Sequence, residues 1–102
     1  FDILNVRQTN AFSSWLRSLR DQRARQKIVV RLQRMRFGHF GDVEAVGQGV
    51  SELRIHEGKG YRVYFRQQGS EVILLLCGGD KKSQQKDIAI AHQMAREISD
   101  ET

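Results

Sequence analysis

Hydrophobic and polar positions alternate most clearly between Val50 and Arg66. Leu53 and Ile55 fall on one side of an extended run, with Glu52, Arg54 and His56 on the other. In the next run Tyr61, Val63 and Phe65 share a face, and Arg62, Tyr64 and Arg66 share the opposite one. A third run, VILLL from Val72, is apolar on both sides, as a central strand requires. Turns near Gly58-Lys59-Gly60 and Gln68-Gly69 join the three into an antiparallel meander over about residues 50–78.

On either side the period lengthens to that of a helix. Phe12, Trp15, Leu16 and Leu19 recur at i, i+3, i+4 and i+7, and Ala24, Ile28, Leu32 and Met35 form a second stripe. Thr9 or Asn10 caps the first helix, Asp21 the second, and Gly38 ends the pair, which spans about residues 9–37. Ser83 starts a last helix over about residues 84–99, with Ile88, Ala91, Met94, Ala95 and Ile98 as its apolar stripe. Phe1 to Arg7 reads as a first strand, and a short strand fits Val43 to Val46. The fold class is α+β, a helical hairpin packed on a mainly antiparallel sheet with a C-terminal helix, in one domain over residues 1–102. The expected core is Trp15, Leu16, Ile28, Leu32, Leu53, Val63, Phe65, Leu74 and Leu76.

Keeping apolar opposite apolar sets Leu53 across from Val63 and Ile55 across from Tyr61. The same register places Arg54 opposite Arg62, a like-charge pair that costs stability unless it is solvated or binds an anion. Tyr64, His56, Lys81 and Lys82 nearby favour the anion. A two-residue second turn would set Phe65, Val63 and Tyr61 against Val72, Leu74 and Leu76, pair Arg66 with Glu71, and send Ile73 and Leu75 to the arginine-bearing face.

Charge sharpens this picture. The formal net charge is +5, and residues 1–36 carry nine Arg and Lys against Asp2 and Asp21. Arg23, Lys27, Arg31 and Arg34 lie on the outer face of the second helix, a ridge suited to a polyanion, a solvated surface or an acidic partner. Gly78-Gly79 before Asp80-Lys81-Lys82 places close-approach backbone at a helix start, a candidate phosphate cradle. His39, His56 and His92 are scattered and no Cys/His cluster accompanies them, so no metal or other cofactor is expected. Cys77 in an apolar run reads as a buried free thiol. No apolar run approaches about 18 residues and no signal peptide is visible, so a reducing cytoplasm without membrane contact is the expected location.

Over nearly the whole chain these motifs resemble the RelE/ParE superfamily of bacterial toxins, in the addiction-module killer branch near the HigB-like toxins. The resemblance rests on AFSSWLRSLRDQRARQKIVVRL, GVSELRI, GYRVYF and LLLCGGDK, with Gln84 and Asp87-Ile88. His39 stands where the family usually has Asn, and Ala45 and Lys59 stand where it has proline. The resemblance implies a RelE-like fold, a toxin of a type II toxin–antitoxin system, and a cognate antitoxin, in this branch usually of helix-turn-helix type. Operator DNA would be met only through that antitoxin. Many relatives cleave messenger RNA on the ribosome, and others, ParE-like, inhibit DNA gyrase; a plain nucleic-acid-binding module is the remaining reading.

Metal-independent RNA cleavage needs a base, stabilisation of the pentacovalent phosphate and an acid for the leaving oxygen. Relatives manage this with Lys, Arg and Tyr, and that set is present. The expected assignment is Arg54 and Arg62 on the scissile phosphate, Lys81 as a further electrostatic group or base, and His56 as proton carrier. Tyr64 or Tyr61 would stack on a base, with Lys59, Lys82, Gln84, Arg23, Lys27, Arg31 and Arg34 contacting RNA.

Overall fold

A computed structural model describes residues 3–99. Strand β1 (Asn5–Gln8) leads into helices α1 (Asn10–Ser18) and α2 (Gln22–Met35). Strands β2 (Val43–Gly47), β3 (Val50–Ile55), β4 (Tyr61–Gln68) and β5 (Val72–Asp80) follow, then a short 3-10 turn at Lys81–Ser83 and helix α3 (Gln84–Ser99). The sheet order is β1-β5-β4-β3-β2, with β1 parallel to β5 and every other pair antiparallel. This is the expected α+β architecture. The first strand is shorter than expected, and Phe1 and Asp2 lie outside the described residues. No helix among the described residues is long and apolar enough to cross a membrane.

Local chemistry accounts for the helix limits. The Thr9 hydroxyl accepts from the Phe12 N–H at 3.1 Å, and Asp21 Oδ1 accepts from the Ala24 N–H at 3.0 Å. Gly38 follows α2 with φ +81°, where a side chain would be strained. Both helices then cover one face of the sheet: Phe12, Ala24, Ile28, Leu32 and Met35 meet Leu53, Ile55, Val63, Phe65, Ile73 and Leu75. Helix α3 covers part of the other face, where Ala91 and Ala95 meet Val50, Tyr64, Leu76 and Cys77. Of the expected core, Ile28, Leu32, Leu53, Val63, Phe65 and Leu76 are buried, while Trp15, Leu16 and Leu74 are half-buried against these two clusters.

The β3–β4 register is the expected one, with Leu53 opposite Val63, Ile55 opposite Tyr61 and Arg54 opposite Arg62. The β4–β5 register is not. Gln68 pairs with Val72 across a three-residue connection, and Phe65 faces Leu75 rather than Val72. An odd shift exchanges the two faces of a strand. Ile73 and Leu75 therefore join the core under α1 and α2, and Leu74 and Leu76 turn towards α3. Arg66 faces Leu74 instead of Glu71, and its guanidinium donates to the Ala95 carbonyl at 2.9 Å. A bulge between Tyr64 and Phe65 completes the change.

Candidate functional site

The arginine pair across β3 and β4 is bridged by a buried carboxylate. Glu52 lies on the same strand face, opposite Tyr64, and is fully buried. Its Oε1 accepts from Arg54 Nε at 3.0 Å and lies 3.5 Å from Arg62 Nε. Its Oε2 accepts from the Tyr64 hydroxyl at 3.1 Å and from Gln84 Nε2 at 3.0 Å. The like-charge pair is thus balanced from within by Glu52.

This network engages three of the expected site residues, Arg54, Tyr64 and Gln84. Arg54 also pairs with Glu44 and, at 3.9 Å, with Asp42, so three carboxylates claim its charge. Arg54 is a bracing residue in this arrangement, not a free phosphate hook. Tyr64 has no ring face open to a base. Burial first, then the negative charge and hydrogen bond of Glu52, push its phenol far above the ordinary range. Gln84 spends its amide on Glu52. Arg62 differs from Arg54: its Nε and Nη1 are buried without a hydrogen-bond partner among the described residues, so the guanidinium is held by charge with donors unspent.

Arg62, Lys59, Lys81 and His56 come together around the β3–β4 turn, in a cleft of about 380 Å³ that Glu57 also lines. The turn needs its glycines, because Gly58 and Gly60 have φ of +55° and +77°. His56 Nε2 lies 2.5 Å from Asp42 Oδ2, which orients the ring. That hydrogen bond first, then the nearby Arg54, lowers the Asp42 carboxyl from its ordinary range against an opposing effect of burial. Lys81 and Lys82 are exposed at the start of α3, but only Lys81 reaches this cleft.

The expected phosphate cradle at that helix start is already filled. Asp80 Oδ1 accepts from the N–H groups of Lys82 at 2.9 Å and Ser83 at 3.2 Å, closing a capping box with Ser83. Asp80 is therefore the cap of the 3-10 turn that leads into α3. The two glycines before it serve packing: a side chain on Gly78 would strike the Trp15 ring, and one on Gly79 the Asp87 carboxylate. Cys77 is a buried thiol, as expected, pushed up to about 12 by burial and by Asp87.

On α2, Arg23, Lys27, Arg31 and Arg34 line a groove of about 580 Å³ that also ends at His56. Lys27 and Arg23 pair with Glu57 at 2.7 and 3.6 Å. Arg31 is a latch, donating to the carbonyls of Arg54 at 2.7 Å and Phe40 at 3.0 Å, and burial lowers its pKa. Tyr61 faces the opposite side of the sheet from Arg62 and lines a third cleft, of about 660 Å³, with Trp15, Asp21 and Asp80. Burial, then Asp21 and Asp80, raise its phenol above the ordinary range. The α2 groove meets the cationic cleft at His56, and that cleft meets the third at Gly58 and Lys59.

Sequence reasoning missed Glu52, Glu57 and Asp42. A signal for Glu52 existed, since it shares a strand face with Arg54 two residues away and the correct register sets it opposite Tyr64. Among the described residues no group of three His, Cys, Asp or Glu side chains is arranged to hold a metal ion.

A family model described as "Phage derived protein Gp49-like (DUF891)" matches residues 14–96. The chain belongs to the phage-derived Gp49-like family. That family is toxin-like and related to the RelE/ParE-type toxin–antitoxin modules. The Gp49-like chain is also 47% identical over 95 residues to an uncharacterized protein of Haemophilus influenzae (strain ATCC 51907 / DSM 11121 / KW20 / Rd), a match covering 93% of this chain and 96% of that relative. No solved structure gives a significant match.

Proposed function

We propose that this Gp49-like protein is the toxin of a type II toxin–antitoxin system, with a RelE-like, HigB-like mode of action: metal-independent, ribosome-associated cleavage of messenger RNA. The observation that carries the reading is the cationic cleft at the β3–β4 turn, where the Arg62 side chain, 14% exposed, stands beside Lys59, Lys81 and His56. In such a cleft Arg62 and Lys81 stabilise the charge that grows on the phosphate as the 2′-hydroxyl attacks, and Lys59 holds a neighbouring phosphate. His56, turned by Asp42, is the proton carrier. Arg23, Lys27 and Arg34 on α2 extend the cationic track beyond the reacting phosphate. The cognate antitoxin, of helix-turn-helix type, would mask this track and alone contact operator DNA. The location of action is the bacterial cytoplasm.

The test is inducible expression with and without the neighbouring open reading frame, followed by mapping of RNA 5′ ends. Growth arrest with new ends inside translated messages, both relieved by the neighbour, is the expected result. Arrest with intact messages and inhibited gyrase would replace this reading with a ParE-like one.

A further inference from the structure

The cleft on the other side of the β3–β4 turn has a chemistry the cationic site does not use. We propose that the cleft between Trp15, Tyr61, Asp21 and Asp80 is a guanine pocket, seating the base of the nucleotide whose phosphate lies on Lys59, Arg62 and Lys81. The inference rests on the RNA reading above and deepens it.

Tyr61 is only 7% exposed, yet its hydroxyl has no hydrogen-bond partner among the described residues. A phenylalanine would fill the same ring space beside Trp15, whose ring meets it edge-on at 6.3 Å between centroids. The hydroxyl is therefore surplus to packing, and it is open to the cleft, where a ligand acceptor or donor can meet it. Two acceptors stand in the same cleft. Asp21 and Asp80 each commit Oδ1 to helix capping, and their Oδ2 atoms accept no hydrogen bond among the described residues.

The walls decide between ligand classes. A phosphate is repelled by the two carboxylates, but a neutral base is not. Guanine presents adjacent N1–H and N2–H donors that match a carboxylate, and O6 or N7 for the Tyr61 hydroxyl. Adenine and cytosine each set a lone pair beside their amino group, and uracil offers one N–H between two carbonyls. An arginine side chain also carries parallel donors. It would meet Arg20 and Lys59 on the wall, and the cationic cleft beyond Gly58 and Lys59. The same shared wall suits a nucleotide, whose phosphate is paired by those cations while its base enters the carboxylate side.

The probes are the 2′-O-methylated trinucleotides UGU, UAU, UCU and UUU, which lack the nucleophile for cleavage. Trp15 is the sole tryptophan, so its fluorescence reports the cleft directly. UGU should quench Trp15 and bind about ten- to a hundredfold more tightly than the others, as one bidentate base contact predicts. Tyr61→Phe keeps the ring and Asp21→Asn keeps the cap. Both should lose the guanine preference and retain wild-type affinity for UUU. Equal affinity for all four probes overturns the pocket and leaves the RNA reading standing. Quenching by arginine amide but not by UGU overturns it in favour of a protein partner. If no probe binds and the wild-type protein leaves messages intact in a ribosome-programmed cleavage assay, the RNA reading falls and the pocket with it.

Discussion

Glu52→Gln should destabilise the fold although it changes one oxygen to an amino group. The carboxylate is fully buried, and all four groups around it present donors: Arg54 and Arg62 at Oε1, Tyr64 and Gln84 at Oε2. The amide oxygen can stay with the arginines, while the Tyr64 hydroxyl rotates and the Gln84 amide turns over to accept from the new amino group. Hydrogen bonds are then kept and the charge is lost, leaving Arg54 opposite Arg62 without the anion between them. Removing one member of a buried ion pair costs about 3–5 kcal/mol. The retained hydrogen bonds, and the two further carboxylates on Arg54, bring the expectation to about 2–4 kcal/mol. For a domain near 100 residues that lowers Tm by roughly 8–20 °C. Urea melts followed by Trp15 fluorescence measure it, and a double-mutant cycle with Arg62→Ala should show a coupling of about 0.5–3 kcal/mol. From the sequence alone, Arg62→Ala would fold normally or gain stability from the relieved repulsion. The structure predicts a loss of about 1–2 kcal/mol, because Glu52 gives up one of its two cations. A Glu52→Gln protein within about 0.5 kcal/mol of wild type, or a stabilised Arg62→Ala, would refute the reasoning.

Other expectations follow from the same contacts. In a ribosome-programmed cleavage assay, Arg62→Ala should lose about 10²–10³ in rate at a temperature where it is folded, and wild-type cutting would remove it from the site. Gly79→Ala should cost about 1–3 kcal/mol, because the new methyl meets Asp87 and the Ser83 hydroxyl that donates to it at 2.5 Å; an unchanged melt would show that this corner yields. Tyr61 and Tyr64 both have phenols raised in the folded state, so their contribution to stability is complete below the unfolded phenol value of about 10 and is lost as pH rises beyond it. Phenolate absorbance in alkali should therefore appear together with loss of helix, and free titration with the fold intact would contradict the burial. Asp42 has the opposite sign: its lowered carboxyl adds stability above the ordinary carboxylate range that is lost as pH falls through the lowered value. Asp42→Asn should flatten that acid limb of a stability–pH curve, and an unchanged slope would count against the His56 contact.

What the chain determined by itself was whatever depends on near neighbours. The stripe from Phe12 to Leu19, the Thr9 and Asp21 caps and the alternation around Leu53 and Val63 specify their elements locally, because helix and strand periods are properties of a few consecutive residues. The β3–β4 register was legible for the same reason, since two alternating runs meet at a short glycine turn. The β4–β5 register was not, because VILLL is apolar on both sides and carries no alternation to say which face is which. The cationic cluster of Arg62, Lys81 and His56 could be named from residue types and pairing, but the division of labour within it could not. Glu52 meets Gln84, which lies 32 positions away, and the choice between Arg54 and Arg62 depends on which carboxylates the folded chain brings within reach. Gly78 and Gly79 show the same limit. As sequence they resemble a ligand-approach loop, and only the packed positions of Trp15 and Asp87 make them glycines for the fold.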